Sequence, residues 1–217
     1  MDSKVIFPVK PAAPVFRNKR SRMPSITPES LMSLEQYAKV RDEFRAKVIA
    51  HKKNRHVQLG EHISLQFEDE LTMRYQVQEM LRVERVFEEA GIKEELEAYN
   101  PLIPNGNNWK ATMMIEYTDV QQRHRELARL IGVEDRVWAQ IEGNPRVYAI
   151  ADEDLERETE EKTSTVHFLR FELTALMKNA LRNGANLAMG VDHPSYRATL
   201  ESVPPVSRQA LMADLRF

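Results

Sequence analysis

No cysteine occurs among the 217 residues. That single absence excludes disulfides, thiolate zinc sites, cysteine-ligated iron–sulfur clusters and cysteine nucleophiles. No apolar run approaches the roughly 20 residues that a membrane span needs. The N-terminus shows no apolar core of a signal peptide, so a cytoplasmic protein without a membrane partner is expected. Glycine is scarce, seven in all, and none is set out as a dinucleotide fingerprint or a phosphate-binding loop. The HExxH, GxSxG and EF-hand patterns are missing too.

What is present suits a folded chain: 42% apolar and 29% charged residues, with a formal net charge of −2. The charge is uneven. Residues 1–26 carry Lys4, Lys10, Arg17, Lys19, Arg20 and Arg22 against Asp2, a net +5, so the remainder carries −7. Pro8, Pro11, Pro14 and Pro24 prevent a continuous helix there. The reading is a flexible basic arm over 1–26 and one domain over 27–217. The acidic body argues against a nucleic-acid partner, which would call for a basic patch.

Thr27 before Pro28, and Ser33 followed by Gln36, are helix-start signals. Apolar residues recur at helical spacing from Leu34 to about Lys53. Val57 and Leu59, then Ile63, Leu65 and Phe67, alternate with polar residues around Gly60, which predicts a hairpin. Glu70 to Ala90 reads as one long central helix with Gly91 as its stop, and Lys93–Tyr99 as a short one. "YNPLIPNGNN" is a loop holding Leu102 and Ile103 between two prolines. "WKATMMIEYT" is a strand, a helix opens at Thr118 or Asp119, and "RVWAQIEG" pairs with "RVYAIAD". "DEDLERETEEK" is an acidic excursion. The strand "TSTVHFLRFEL", a helix from Thr174 to Arg182, the strand "ANLAMGV", the turn "DHPSY" and a helix from Pro205 to Leu215 complete the chain. The fold class expected is α+β, a mostly antiparallel sheet packed with about five to six helices.

Several polar residues fall in places that call for a partner. On the central helix Met73, Val77, Met80, Leu81, Val83 and Phe87 share one arc, and Glu84 sits near its middle. A carboxylate there needs a cation, a metal or hydrogen-bond donors, or else a proton. Lys110, Thr112, Met114 and Glu116 share one face of their strand. Phe168, Arg170 and Glu172 share a face of theirs, opposite His167, Leu169 and Phe171. His193 is held extended by Pro194. Glu84, Lys110 and His193 are therefore the catalytic candidates, and Arg170, Glu172, Glu116 and Tyr196 the ligand-binding ones. Each has a plainer reading as a structural ion pair, a wet strand face or a turn. Glu79, Glu84, Glu116 and His193 have metal-ligand chemistry, and His56 and His62 flank the hairpin turn. Without the paired Glu-x-x-His of di-iron bundles, no metal or other cofactor is expected.

Five stretches also carry a resemblance: "SLEQYAKVRDEFRAKVIAHKKNRHVQLGEHISLQFEDELTMRYQVQEMLRVER", "YNPLIPNG", "ATMMIEY", "VHFLRFEL" and "GVDHPSY". From about Ile26 onward the chain resembles a bacterial family catalogued as domain of unknown function thirty-five-zero-one. That family carries no established reaction. Its members tend to be encoded beside a rubrerythrin-like protein and a heterodisulfide-reductase-type iron–sulfur protein. The resemblance implies an accessory or interaction protein of a peroxide or electron-transfer system, with one of those proteins, or a second copy of the chain, as partner. The residues themselves keep a rival open, an enzyme or a small-ligand or metal-binding protein with a polar pocket around Glu84.

Overall fold

The computed structural model describes residues 25–154, 157, 159 and 161–217. Most of the expected basic arm lies outside these residues. Ile26, read as the arm's last residue, is 2% exposed, and its backbone N–H and C=O both bond the Asn100 side chain.

After a short 3-10 turn, Pro28–Ser30, the chain runs through α1 (Leu34–Lys53), β1 (His56–Leu59), β2 (Ile63–Glu68), α2 (Glu70–Glu84), α3 (Glu89–Tyr99) and β3 (Asn108–Ile115). It continues with α4 (Val120–Arg129), β4 (Val137–Ile141), β5 (Val147–Tyr148), β6 (Ile150–Ala151), β7 (Val166–Glu172), α5 (Ala175–Arg182), β8 (Leu187–His193), β9 (Tyr196–Leu200) and α6 (Pro205–Met212). All strand pairing is antiparallel, in the orders β1-β2-β3-β7-β6 and β5-β4-β8-β9. The α+β class is as the sequence predicts. No helix among the described residues is long and apolar enough to cross a membrane.

Period-two alternation builds the core. Val57, Leu59, Ile63, Leu65, Phe67, Trp109, Ala111, Met113, Leu169 and Phe171 from one sheet meet Val137, Ala139, Ile141, Leu187, Met189 and Val191 from the other. The sheets run into one another where β5 gives way to β6 across Ala149, whose N–H bonds Val137 O at 2.8 Å. At the opposite edge Tyr196 Oη bridges them, donating to Leu59 O at 2.6 Å and accepting from His62 N at 3.1 Å. Gly60 turns there with φ +71, and a Cβ on it would lie 2.5 Å from that hydroxyl. β9 was not expected from the sequence. It is an edge strand with half-exposed and exposed residues in alternation, so it lacks a strong apolar signal.

α1, α2 and α3 form a separate layer around a second apolar cluster of Ile26, Met73, Val77, Leu81, Leu96, Ala98, Tyr99 and Ile103. The expected long helix is shorter than Glu70–Ala90, and the expected short helix, α3, starts at Glu89 instead of Lys93. α2 stops at Glu84, with Arg85 left-handed at φ 55 and Val86 N bonded back to Leu81 O at 2.9 Å, a glycine-type cap made by arginine. Gly91 is not the stop. It lies inside α3, where a Cβ would come within 2.6 Å of Val86 Cγ1.

Candidate functional site

The carboxylate that α2 buries is not Glu84. Glu84 is exposed, as are Val83 (54%) and Phe87 (74%). Glu79, by contrast, has no exposure. α2 is gripped by α1 on one side and α3 on another, so Thr72, Tyr75, Gln76, Gln78 and Glu79 are buried along with the apolar stripe. A one-face reading of its periodicity therefore misplaces the polar partner. Glu79 accepts from Tyr37 Oη at 2.8 Å, from Arg41 Nε and Nη2 at 2.8 and 2.7 Å, and from Arg82 Nη2 at 3.2 Å. Burial alone would raise its pKa. The bonds from Arg41, Arg82 and Tyr37 outweigh it and hold the carboxyl down at about 2.

The other candidates divide. Lys110, Arg170 and Glu172 do come together, on the outer face of the first sheet. Lys110 opposes Arg170 in register. Arg170 holds Glu153 through two 2.7 Å bonds and also pairs with Glu172. Glu172 accepts from Asn108 Nδ2 at 2.8 Å. Burial lowers the Lys110 pKa to about 8 despite Glu153, which lies 3.9 Å away. Glu84, Glu116, His193 and Tyr196 do not join them. Glu116 is exposed and accepts from Ser64 Oγ at 3.3 Å. His193 Nδ1 accepts from Ser195 N at 3.2 Å and Nε2 faces Ile131 O at 3.1 Å, so it fastens a turn. Tyr196 is the inter-sheet bridge already described. His62 stacks on Tyr117.

A cavity of about 440 Å³ opens elsewhere. Three segments wall it: the start of α2 (Asp69, Glu70, Leu71, Arg74), the loop residues Ile103, Pro104 and Gly106, and the C-terminal stretch Ala213–Arg216. The loop with apolar residues between two prolines thus tucks in, with Ile103 6% exposed. Gly106, at φ +94, packs directly against the Arg216 side chain, and Arg216 N bonds Gly106 O at 2.8 Å.

Arg55 contacts two of the lining residues, Asp69 and Asp214. It is 1% exposed and ties the end of α1 to β2 and the C-terminus, donating to Phe67 O, Glu68 O and Ala210 O at 3.1 Å each. It also reaches Asp214 Oδ2 at 2.5 Å and Asp69 Oδ2 at 3.5 Å. Asp69 caps α2 through Thr72 N at 2.9 Å and contacts His51 Nε2 at 2.5 Å. Asp214 has fewer friends. Its side chain is 8% exposed, and burial, with Asp69 nearby, raises its pKa to about 6 in spite of Arg55. The result is a chain His51–Asp69–Arg55–Asp214, of which Asp69 and Asp214 line the cavity, ending on a carboxyl that burial holds above the usual carboxylate range. Such a group in a cleft is a candidate functional residue. None of the four was singled out from sequence, because they come from positions 51, 55, 69 and 214 and meet only in the fold.

One group among the described residues could hold a metal. Glu134, Asp152 and His167 each offer an atom within 4.8 Å of the others. The four residues weighed for a metal from sequence, Glu79, Glu84, Glu116 and His193, form no such group.

Comparisons with known proteins agree with the resemblance. Residues 25–215 match the profile of the family described as "Protein of unknown function (DUF3501)". No curated protein matches significantly. A crystallised protein of unknown function from Burkholderia pseudomallei K96243 is 53% identical, with a TM-score of 0.85, over 89% of this chain and 100% of its own.

Proposed function

The chain belongs to the DUF3501 family, and from that premise we propose that it is a cytoplasmic accessory protein that binds a small ligand in the 440 Å³ cavity. Asp214 carries the reading. Its carboxyl is buried, faces the cavity and is shifted up to about 6. Its ion pair with Arg55 at 2.5 Å does not offset that burial. The wall offers the carboxylates of Asp69, Glu70 and Asp214, the guanidinium groups of Arg74 and Arg216, and the apolar Leu71, Ile103, Pro104 and Leu215. A small ligand with an amine or similar donor group and a short apolar body suits that lining.

The test is an amide NMR titration at pH 7.5 with n-butylamine, and with butyrate as the anionic control. Butylamine should shift amides of Asp69, Leu71, Gly106 and Ala213, and Asp214→Asn should weaken the response at least threefold. Equal responses to both probes, or shifts away from these residues, contradict the reading.

Resemblance alone supports the redox side of the proposal, an association with a rubrerythrin-like or iron–sulfur protein. Affinity purification from the native cell under reducing and oxidising conditions checks it, and recovery of neither protein counts against it.

A further inference from the structure

We propose that a second cavity, at the end of β3, binds a small zwitterion of the α-amino-acid class with an apolar side chain. The cavity measures about 280 Å³ and opens where β3 gives way to α4. It stands apart from the Asp214 cavity, with which it shares no lining residue.

Met114, Val166 and Tyr117 supply its apolar lining. Met114 and Val166 oppose one another in register on neighbouring strands, so their side chains share a sheet face. Tyr117 is 8% exposed and stacks on His62 with ring centroids 4.0 Å apart, which fixes its ring in place. A short aliphatic group matches that surface.

The polar lining decides the class of ligand. Glu116 and Arg123 line the same cavity, yet among the described residues neither has a partner of opposite charge. The acids one turn to either side of Arg123 are engaged elsewhere. Asp119 Oδ1 caps α4 by accepting from Gln122 N at 2.6 Å, and the two oxygens of Glu126 take Arg129 Nη1 at 3.2 and 3.1 Å. Glu116 meets only the Ser64 hydroxyl, through Oε2 at 3.3 Å, which leaves it its charge and its other oxygen. A guanidinium and a carboxylate on one cavity, not paired with each other, suit a ligand that carries both opposite charges. Its carboxylate would take the planar fork of Arg123 and its ammonium group Glu116. A simple anion would meet Glu116 as a like charge, and a simple cation would meet Arg123.

The full-length protein is titrated with L-leucine at pH 7.5 and followed by amide NMR, with isocaproate, which lacks the ammonium group, as the comparison. Leucine should shift the amides of Glu116, Tyr117, Thr118 and Val166 along a saturable curve. Isocaproate should bind about fivefold more weakly, and Arg123→Gln should weaken leucine binding about tenfold, as expected for loss of one charge-assisted contact. Glu116→Gln should bring leucine down to the level of isocaproate. Both side chains reach water, so neither change threatens the fold. Saturation at Asp69, Gly106 and Ala213 instead would assign leucine to the Asp214 cavity and overturn this site. So would equal binding of the two probes, the absence of any saturable shift, or unchanged leucine affinity in Arg123→Gln.

Discussion

Glu79 in the helical layer and Asp214 at the cavity are both nearly excluded from water, yet their acidities move in opposite directions. Glu79 is held down at about 2 and Asp214 is pushed up to about 6. Burial acts on both alike, so the donors make the difference. Two arginines and a tyrosine converge on Glu79. Among the described residues Asp214 is bonded to one charged donor, Arg55, and Arg55 is shared with three carbonyls and Asp69. The helical seam is electrostatically complete. At Asp214 burial outweighs the one arginine bonded to it, which is where a ligand or a proton finds work.

The sharpest way to break this contrast is to remove the seam's carboxylate. Glu79→Ala strands Arg41 and the buried Tyr37 hydroxyl. It should cost about 3 kcal/mol in urea denaturation, at the low end for a broken buried pair because both arginines reach water. Glu79→Gln should cost less.

Acidity gives the second test, with opposite signs. Glu79 has a depressed pKa, so its contribution is complete above 4.5 and is lost as pH falls toward 2. Asp214 has a raised pKa, so stability is greatest below 3.8 and falls as pH rises through about 6. Folding stability measured against pH, wild type minus Asp214→Asn, should therefore fall between pH 4 and 6 by about 2–3 kcal/mol. Asparagine mimics the protonated acid, so at pH 7.5 the variant should be no less stable than wild type. A smaller effect closes the series. Glu84→Ala, on an exposed helix end, should change stability by under about 0.5 kcal/mol.

The strand faces were legible because one face of each is apolar and the period is two. Ala111, Met113 and Ile115 point into the core with Lys110 on the other side of their strand, and Arg170 and Glu172 share a face of theirs, as the spacing predicts; that the two polar faces are one follows only from the strand pairing. Capping showed the starts of α1 and α4 at Ser33 and Asp119. The interior of α2 was not legible, since a helix packed on several sides has no single buried stripe. Its end was not either, because Arg85 adopts a conformation usually left to glycine. The cavity was hidden for another reason. Arg55, Asp69 and Asp214 look like ordinary surface charges until the fold brings the C-terminus to the end of α1. His167 did show one signal, a lone histidine alternating with Leu169 and Phe171 on a core face.

The most direct measurement is the titration of the Asp214 side chain itself, by carbon-13 NMR of its carboxyl resonance in the full-length protein, assigned by Asp214→Asn. The account predicts a midpoint near 6, moving when n-butylamine is added. A midpoint at or below 4 would make Asp214 a second, fully compensated ion pair like Glu79 and would remove the ground for a ligand site at the cavity.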